Sequence, residues 1–208
     1  STSILWQYTL DTDWVISDMG RHVTNIVVYN NVVYTSSGGS GTRGTIYAIN
    51  ATTGAKIWSA SNNCIRSHYL SINSSTNTLL VTDGQYLKAF NLSTGALKWQ
   101  RGPFGKEFIL SLSSVTNNTI YLGADDFTLY AVNATTGEFK WQFTTGREVK
   151  STAVRVGDMV YFGSNDFKVY AVRDNGYSAS LIWTYTTGNY VRSTPTVDNG
   201  VVYIGSFD

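Results

Sequence analysis

Five tryptophans recur along this chain at nearly one interval, and that period constrains the fold more than any other feature. Leu5-Trp6, Ile57-Trp58, Lys98-Trp99, Lys140-Trp141 and Ile182-Trp183 share a local pattern, and subtraction of the residue numbers gives spacings of 52, 41, 42 and 42. The long first interval holds Ser37-Gly38-Gly39-Ser40-Gly41-Thr42-Arg43-Gly44, which reads as an extended turn. Trp14 lies outside the pattern. A fixed period of this length marks units that cannot bury their apolar faces alone and must stack on neighbours.

The text between the tryptophans repeats as well. Thr45-Ile46-Tyr47-Ala48-Ile49-Asn50-Ala51-Thr52-Thr53-Gly54 matches Thr128-Leu129-Tyr130-Ala131-Val132-Asn133-Ala134-Thr135-Thr136-Gly137. Leu87-Lys88-Ala89-Phe90-Asn91-Leu92-Ser93-Thr94-Gly95 is a looser copy, and Val169-Tyr170-Ala171-Val172-Arg173-Asp174-Asn175-Gly176 is a fourth with a longer turn after it. Upstream lies a Val-Tyr-x-Gly strand, seen as Ile120-Tyr121-Leu122-Gly123, Val160-Tyr161-Phe162-Gly163 and Val202-Tyr203-Ile204-Gly205. These runs are short, rich in Val, Ile, Tyr and Thr, alternate with period two, and are bounded by Gly, Asn, Asp, Ser and Thr. No segment carries a sustained 3.6-residue period. About four strands per ~40–45 residues is the spacing of a β-propeller blade. The reading is therefore all-β: four-stranded antiparallel blades, about five repeats, in a single domain over 1–208. Packing blade on blade buries both sheet faces and leaves only short edges. Trp6, Trp58, Trp99, Trp141 and Trp183 are then docking residues between neighbouring blades.

The motif Tyr-Ala-x-Asn-Ala-x-Thr-Gly-x-x-x-Trp resembles the tryptophan-docking motif of the pyrroloquinoline-quinone-like propeller repeat. The resemblance is strong in the repeats ending at Trp58, Trp99 and Trp141, and weaker at Trp183, where Asp174-Asn175-Gly176 replaces Asn-Ala-Thr-Thr-Gly. It implies that each Trp opens the outermost strand of its blade and that Ile4-Leu5-Trp6-Gln7-Tyr8 is such a strand. Rings of that family usually have seven or eight blades, so this chain is either part of a longer ring or an unusual five-bladed one. The last repeat, from Trp183 to Asp208, is shorter than its predecessor. An incomplete blade predicts an unpaired edge, association with a partner or with other copies of itself, and no stable closed monomer.

The family includes quinone-dependent dehydrogenases, which by resemblance use an adjacent cysteine pair and carboxylates on calcium. Cys64 is the single cysteine, so no such pair exists, and no Asp-x-Asp-x-Asp-Gly calcium loop occurs. Cys64 reads as a small buried hydrophobe, with a free or intermolecular thiol as the alternative. Asp125-Asp126 falls where other copies have Asn165-Asp166 and Phe207-Asp208, a strand-connecting turn. His22 and His68 precede inner strands; two imidazoles alone lack the further ligands of a stable metal site. No Gly-x-Ser-x-Gly, His-Glu-x-x-His or phosphate-binding loop is present, so the reading is non-enzymatic, with no catalytic residue, cofactor or metal.

Two further patterns are candidates for binding and modification. Arg66-Ser67, Lys150-Ser151 and Arg192-Ser193 start inner strands, so Arg66, Lys150 and Arg192 make either a basic rim for a carboxylate at one channel mouth or solvated cations paired to a neighbouring acid. Asn-x-Ser/Thr sequons stand at Asn50, Asn73, Asn91, Asn117 and Asn133. Their number is near chance for so much Asn, Ser and Thr, but Asn50, Asn91 and Asn133 occupy one shared turn, and all five are expected to be exposed. Asn also favours turns for its own backbone bonds.

Fifteen basic residues against fourteen acidic ones exclude an electrostatic nucleic-acid binder. No apolar run is long enough to span a membrane as a helix. With 14% charged residues and a surface of Tyr, Asn, Thr and Ser, the chain suits an extracellular or cell-surface life, periplasmic in a bacterium. The function read from all this is a protein-binding or assembly scaffold. The alternatives are the propeller portion of a larger enzyme or receptor, and a subunit that polymerises.

Overall fold

The computed structural model describes residues 26–39, 42–62 and 69–208. Trp6, Cys64, Arg66, His22 and His68 lie outside the described residues. Two compact units divide the chain, one of residues 1–84 and 88–98, the other of residues 85–87 and 99–208. The division runs through a sheet, not between repeats.

In the first unit, β1 (Val27–Tyr29), β2 (Val32–Gly39), β3 (Thr42–Asn50) and β4 (Lys56–Asn62) form a four-stranded antiparallel sheet in sequence order. Asn30 and Asn31, both with positive φ, make the tight turn that pairs Tyr29 with Val32. The stretch 37–44 is not simply a turn. Pairing of β2 with β3 continues to Gly39 and Thr42, because ladder bonds satisfy backbone groups that a loose loop would leave to solvent. The next sheet, β5 (Leu70–Asn73), β6 (Thr78–Asp83), β7 (Tyr86–Asn91) and β8 (Leu97–Arg101), has the same order, and β7 and β8 carry the division between the units. Tyr34, Ile46, Ala48 and Trp58 of the first sheet bury themselves against Leu70, Leu79, Val81, Phe90 and Leu92.

The second unit holds β9 (Ile109–Leu112), β10 (Thr119–Ala124), β11 (Thr128–Asn133) and β12 (Phe139–Thr144), followed by β13 (Val154–Val156), β14 (Met159–Gly163), β15 (Lys168–Asp174) and β16 (Ala179–Thr186). Each set is one four-stranded antiparallel sheet, and β17 (Thr196–Asp198) pairs with β18 (Val201–Tyr203) in a two-stranded one. Tyr121, Leu129, Ala131 and Trp141 of one sheet pack on Val149, Ala153, Val160, Phe162, Tyr170 and Val172 of the next. The recurring units are thus four-stranded propeller blades, as the period predicts.

The local rules of the repeat are physical. In three blades the tryptophan stands opposite an alanine, Ala48 facing Trp58, Ala131 facing Trp141 and Ala171 facing Trp183, and the small partner leaves room for the indole. A register shift follows each pair and places one extra residue, Ile57, Lys140 or Ile182, on the outer strand. The bulged Lys140 reaches back, and its ammonium donates to Thr119 Oγ1 at 2.6 Å.

The glycine of Val-Tyr-x-Gly is set by close approach. A Cβ on Gly123 would collide with Ser111 Oγ and the Val149 carbonyl, and one on Gly163 would lie 2.6 Å from the Val191 carbonyl. On Gly205 the nearest atom would be Ser193 Oγ at an ordinary 3.5 Å. Gly123→Ala and Gly163→Ala are therefore expected to cost about 1–3 kcal/mol each through overpacking. Gly205→Ala should cost less than about 0.5 kcal/mol, as neutral substitutions do. Urea unfolding of the three variants checks this; equal losses at all three positions would refute the packing account.

Candidate functional site

The docking tryptophans reveal a recurring device. In the first unit, Trp58 Nε1 donates to the Leu92 carbonyl at 2.8 Å, and Tyr34 Oη donates to the same oxygen at 3.2 Å. The two rings pack together with centroids 6.0 Å apart. Gly95, at φ +71°, lies on the indole face, where a Cβ would come within 2.6 Å of Trp58 Cε3. The positive φ turns the Thr-Gly turn, and the missing side chain lets the ring in.

The second unit repeats the arrangement. Trp99 Nε1 donates to the Thr135 carbonyl at 2.7 Å, with Gly137 at φ +74° against its ring. At the next interface the acceptor is a carboxylate. Trp141 Nε1 donates to Asp174 Oδ1 at 2.9 Å, Tyr121 Oη donates to Oδ2 at 2.7 Å, and the Gly176 amide donates to Oδ1 at 2.8 Å. Arg155 Nη1 completes the set with an ion pair to Oδ2 at 2.9 Å, and both charged side chains are buried. Burial alone raises the Asp174 carboxyl. The hydrogen bonds from Tyr121, Trp141 and Gly176, with the Arg155 charge, outweigh it and hold the carboxyl below its ordinary value. Burial, then the adjacent Asp174, pushes the Tyr121 phenol up, so it remains a donor.

One blade further, the donors recur without the acceptor. Tyr161 and Trp183 pack with centroids 6.0 Å apart, matching the Tyr34–Trp58 pair. Among the described residues nothing accepts a hydrogen bond from Trp183 Nε1. Trp183 is 38% exposed, against 3% for Trp141 and 8% for Trp58. Beside it runs an uncharged groove of about 540 Å³ lined by Val169, Trp183, Tyr185, Val201 and Ile204, among others. Tyr185, which lines this groove, is exposed.

The remaining sequence candidates fall as follows. Serines link the inner strands: Ser111 Oγ donates to the Ser151 carbonyl at 2.9 Å, and Ser151 Oγ to the Ser193 carbonyl at 2.7 Å. This sets the segments bearing Lys150 and Arg192 side by side; both precede the inner strands β13 and β17 and do not start them. Arg192 is not a free rim cation, since its Nε donates to Asn165 Oδ1 at 2.8 Å and its guanidinium lies 4.6 Å over Tyr190 and 5.4 Å over Phe207. Asn165 in turn donates to Glu148 Oε2 at 3.1 Å. That bond, helped by the Lys150 and Arg147 charges and opposed by burial, holds the Glu148 carboxyl below its ordinary value. Lys150 is exposed. Arg192 is thus braced by an amide oxygen and two aromatic rings, and among the described residues no ion pair joins it to an acid.

Among the sequons, the expectation of exposure does not hold at Asn73, which is 3% exposed because it closes a buried strand end. Asn117 is exposed. Asn50, Asn91 and Asn133 are half-buried, and each Oδ1 accepts two amides of its own turn: Thr52 and Thr53, Ser93 and Thr94, Thr135 and Thr136. Their shared placement thus has a backbone cause.

Sequence reasoning missed Tyr34 and Tyr121 as donors, reading them only as strand formers. A Tyr recurring in the second strand of a repeat, as in Val33-Tyr34 and Ile120-Tyr121, was the available signal. It also missed a latch between blades, in which Asp166 Oδ2 accepts from the Gly146 amide and Asp208 Oδ2 from the Gly188 amide, each at 2.8 Å.

The residues present do not fit a quinone with calcium: the adjacent cysteine pair has no counterpart, and among the described residues no three His, Cys, Asp or Glu side chains gather as ligands. No helix among the described residues is long and apolar enough to cross a membrane.

A family model described as outer membrane protein assembly factor BamB, of the pyrroloquinoline-quinone-like repeat class, matches residues 42–208. No curated protein matches in sequence. Among solved structures, BamB from Moraxella catarrhalis superposes with a TM-score of 0.70 at 16% identity, over 93% of this chain and 59% of that one. The computationally designed protein Ika8 gives 0.70 at 14% identity, over 87% and 54%, and the designed Ika4 gives 0.58 at 15%, over 66% and 83%. The chain spans a little over half the length of the first two. At these identities the matches speak for the fold.

Proposed function

This chain belongs to the pyrroloquinoline-quinone-like repeat family of the outer membrane protein assembly factor BamB, and from that premise we propose that it is a non-catalytic β-propeller domain, a scaffold that binds other proteins. The observation that carries the reading is the match of residues 42–208 to the family model described as an outer membrane protein assembly factor. The proposed setting is outside the cytoplasm, the periplasm in a bacterium. The family's description as an outer-membrane assembly factor supports it, as does a surface rich in uncharged polar residues.

Site-specific photocrosslinking in the source cell tests the binding role. A photoreactive residue at Tyr185 or Tyr203 is expected to capture protein partners, and one at the exposed ion pair Arg173–Asp158 to capture few. No protein adduct from any exposed position would overturn the scaffold reading.

A second expectation concerns modification. Produced in a glycosylating secretory host, the folded protein should carry glycan at Asn117, with Asn50, Asn91 and Asn133 alike in occupancy, and none at Asn73. Intact-mass analysis before and after deglycosylation reads this, and glycan on Asn73 in folded protein would contradict its burial.

A further inference from the structure

We propose that the Asn175–Gly176 step is a covalent modification site, one that the Asp174 cluster holds shut and that converts to isoaspartate when this blade interface opens. The conversion does not reverse, so the site keeps a record of the opening.

Asn175-Gly176 stands in the turn between β15 and β16. The chemistry such a step undergoes is intramolecular. The Gly176 amide nitrogen gives its proton to solvent and attacks Asn175 Cγ. The new N–Cγ bond closes a cyclic succinimide, and the Cγ–Nδ2 bond breaks to release ammonia. Water then opens the ring at either carbonyl, to aspartate or to isoaspartate. A following glycine favours the closure, because no Cβ stands in the way and its backbone is conformationally free. The corresponding turns of other repeats place Ala51 after Asn50, Leu92 after Asn91 and Ala134 after Asn133.

The structure holds both reacting groups apart. Asn175 is exposed, so water reaches it. Its nucleophile is engaged: the Gly176 amide donates to Asp174 Oδ1 at 2.8 Å, the oxygen that also accepts from Trp141. Asp174 is 5% exposed and ion-paired to Arg155, so this acceptor stays in place while the blades are docked. A carboxylate is too weak a base to take an amide proton, and its negative charge opposes an amide anion forming beside it. The leaving group is held as well. Asn175 Nδ2 donates to Ser180 Oγ at 3.0 Å, and the Asn175 amide donates to the Ser178 carbonyl at 2.9 Å. Ring closure needs these bonds released together, which takes a local opening of the interface. Isoaspartate then adds a carbon to the main chain between positions 175 and 176, and the Gly176 amide no longer reaches Asp174 in its former place.

The test incubates the full 208-residue chain at mildly alkaline pH and maps its peptides by a method that separates aspartate from isoaspartate. Native wild type is expected to keep the Asn175 amide, while the chain in denaturing urea converts there. Asp174→Ala should convert at Asn175 roughly tenfold faster than wild type or more, because opening no longer has to break the anchor. Trp141→Ala is the control. It destabilises the same interface comparably but leaves the Gly176 amide on Asp174, so it should convert more slowly than Asp174→Ala. Where Asp174→Ala does not fold, Asp174→Asn takes its place, and its rate should exceed that of wild type. Chains carrying isoaspartate at position 175 should unfold at a lower urea midpoint than unconverted chains. Conversion of native wild type at the rate seen in urea would overturn the proposal. So would equal rates in wild type and the Asp174 variant, equal rates in Trp141→Ala and the Asp174 variant, or an unchanged midpoint in converted chains.

Discussion

Trp141→Ala is expected to destabilise the second unit by about 3–5 kcal/mol, the range for removing a fully buried Trp. The side chain is 3% exposed, packs on Tyr121 at 5.6 Å and spends its one donor on Asp174. The same substitution at Trp183 removes a ring that is 38% exposed, with no acceptor among the described residues, and should cost about 1 kcal/mol. Chemical denaturation of both variants measures the contrast. The two positions are equivalent in the spacing of the repeat, so equal losses would mean that blade-to-blade docking contributes little to stability.

Asp174→Ala should cost a comparable 3–5 kcal/mol, because removing one partner of a buried ion pair leaves the other charge uncompensated. Arg155 would stay buried without its counter-ion, and Trp141 Nε1 and Tyr121 Oη would lose their acceptor together. The pH dependence follows from the direction of the shift. Folding holds the Asp174 carboxyl below its ordinary value, so the native state favours the carboxylate. Its contribution is complete above the ordinary carboxyl range of about 4 and is lost as pH falls through the lower folded-state value. Wild-type stability should therefore drop on acidification below about pH 4, and Asp174→Asn should flatten that drop while being less stable at neutral pH. A parallel acid profile in wild type and Asp174→Asn would sink the assignment. Trp141→Ala and Asp174→Ala share contacts, so the double variant should lose less than the sum of the two.

Much of the fold was legible because the repeat acts through local chemistry. The Tyr-Ala step is a small residue facing an indole, Thr-Gly is a left-handed turn beneath a ring, and paired Asn residues are tight hairpins. Each leaves a residue type at a fixed spacing. The contacts between blades were less legible. Trp183 looks like every other Trp in the repeat, and its openness depends on what stands next to it in space. Asp174 read as a weakened copy of the motif, because an acid in a turn is ordinary until Arg155, nineteen positions earlier, is seen to meet it. Arg192 stayed open between a rim cation and a cation paired to an acid, because no spacing rule shows that Asn165 and two aromatic rings hold it. The exposure of Asn73 was misjudged for a like reason: a polar residue ending a strand looks exposed until the neighbouring strands are in place.

The docking acceptors at Trp58 and Trp99 belong to the main chain, and that has a consequence for how such a protein can change over generations. A carbonyl is supplied by every residue, so Leu92 and Thr135 can be exchanged widely without disturbing the bond they provide. The positions under constraint shrink to the donor, the small residue opposite it and the glycine beneath it. Most of each blade is then free to drift, which accords with a shared architecture at 16% identity to BamB from Moraxella catarrhalis. Asp174 gives up that freedom. Having moved the acceptor onto a side chain, this interface ties positions 121, 141, 155 and 174 together, and a lineage that alters one of them must alter its companions in step.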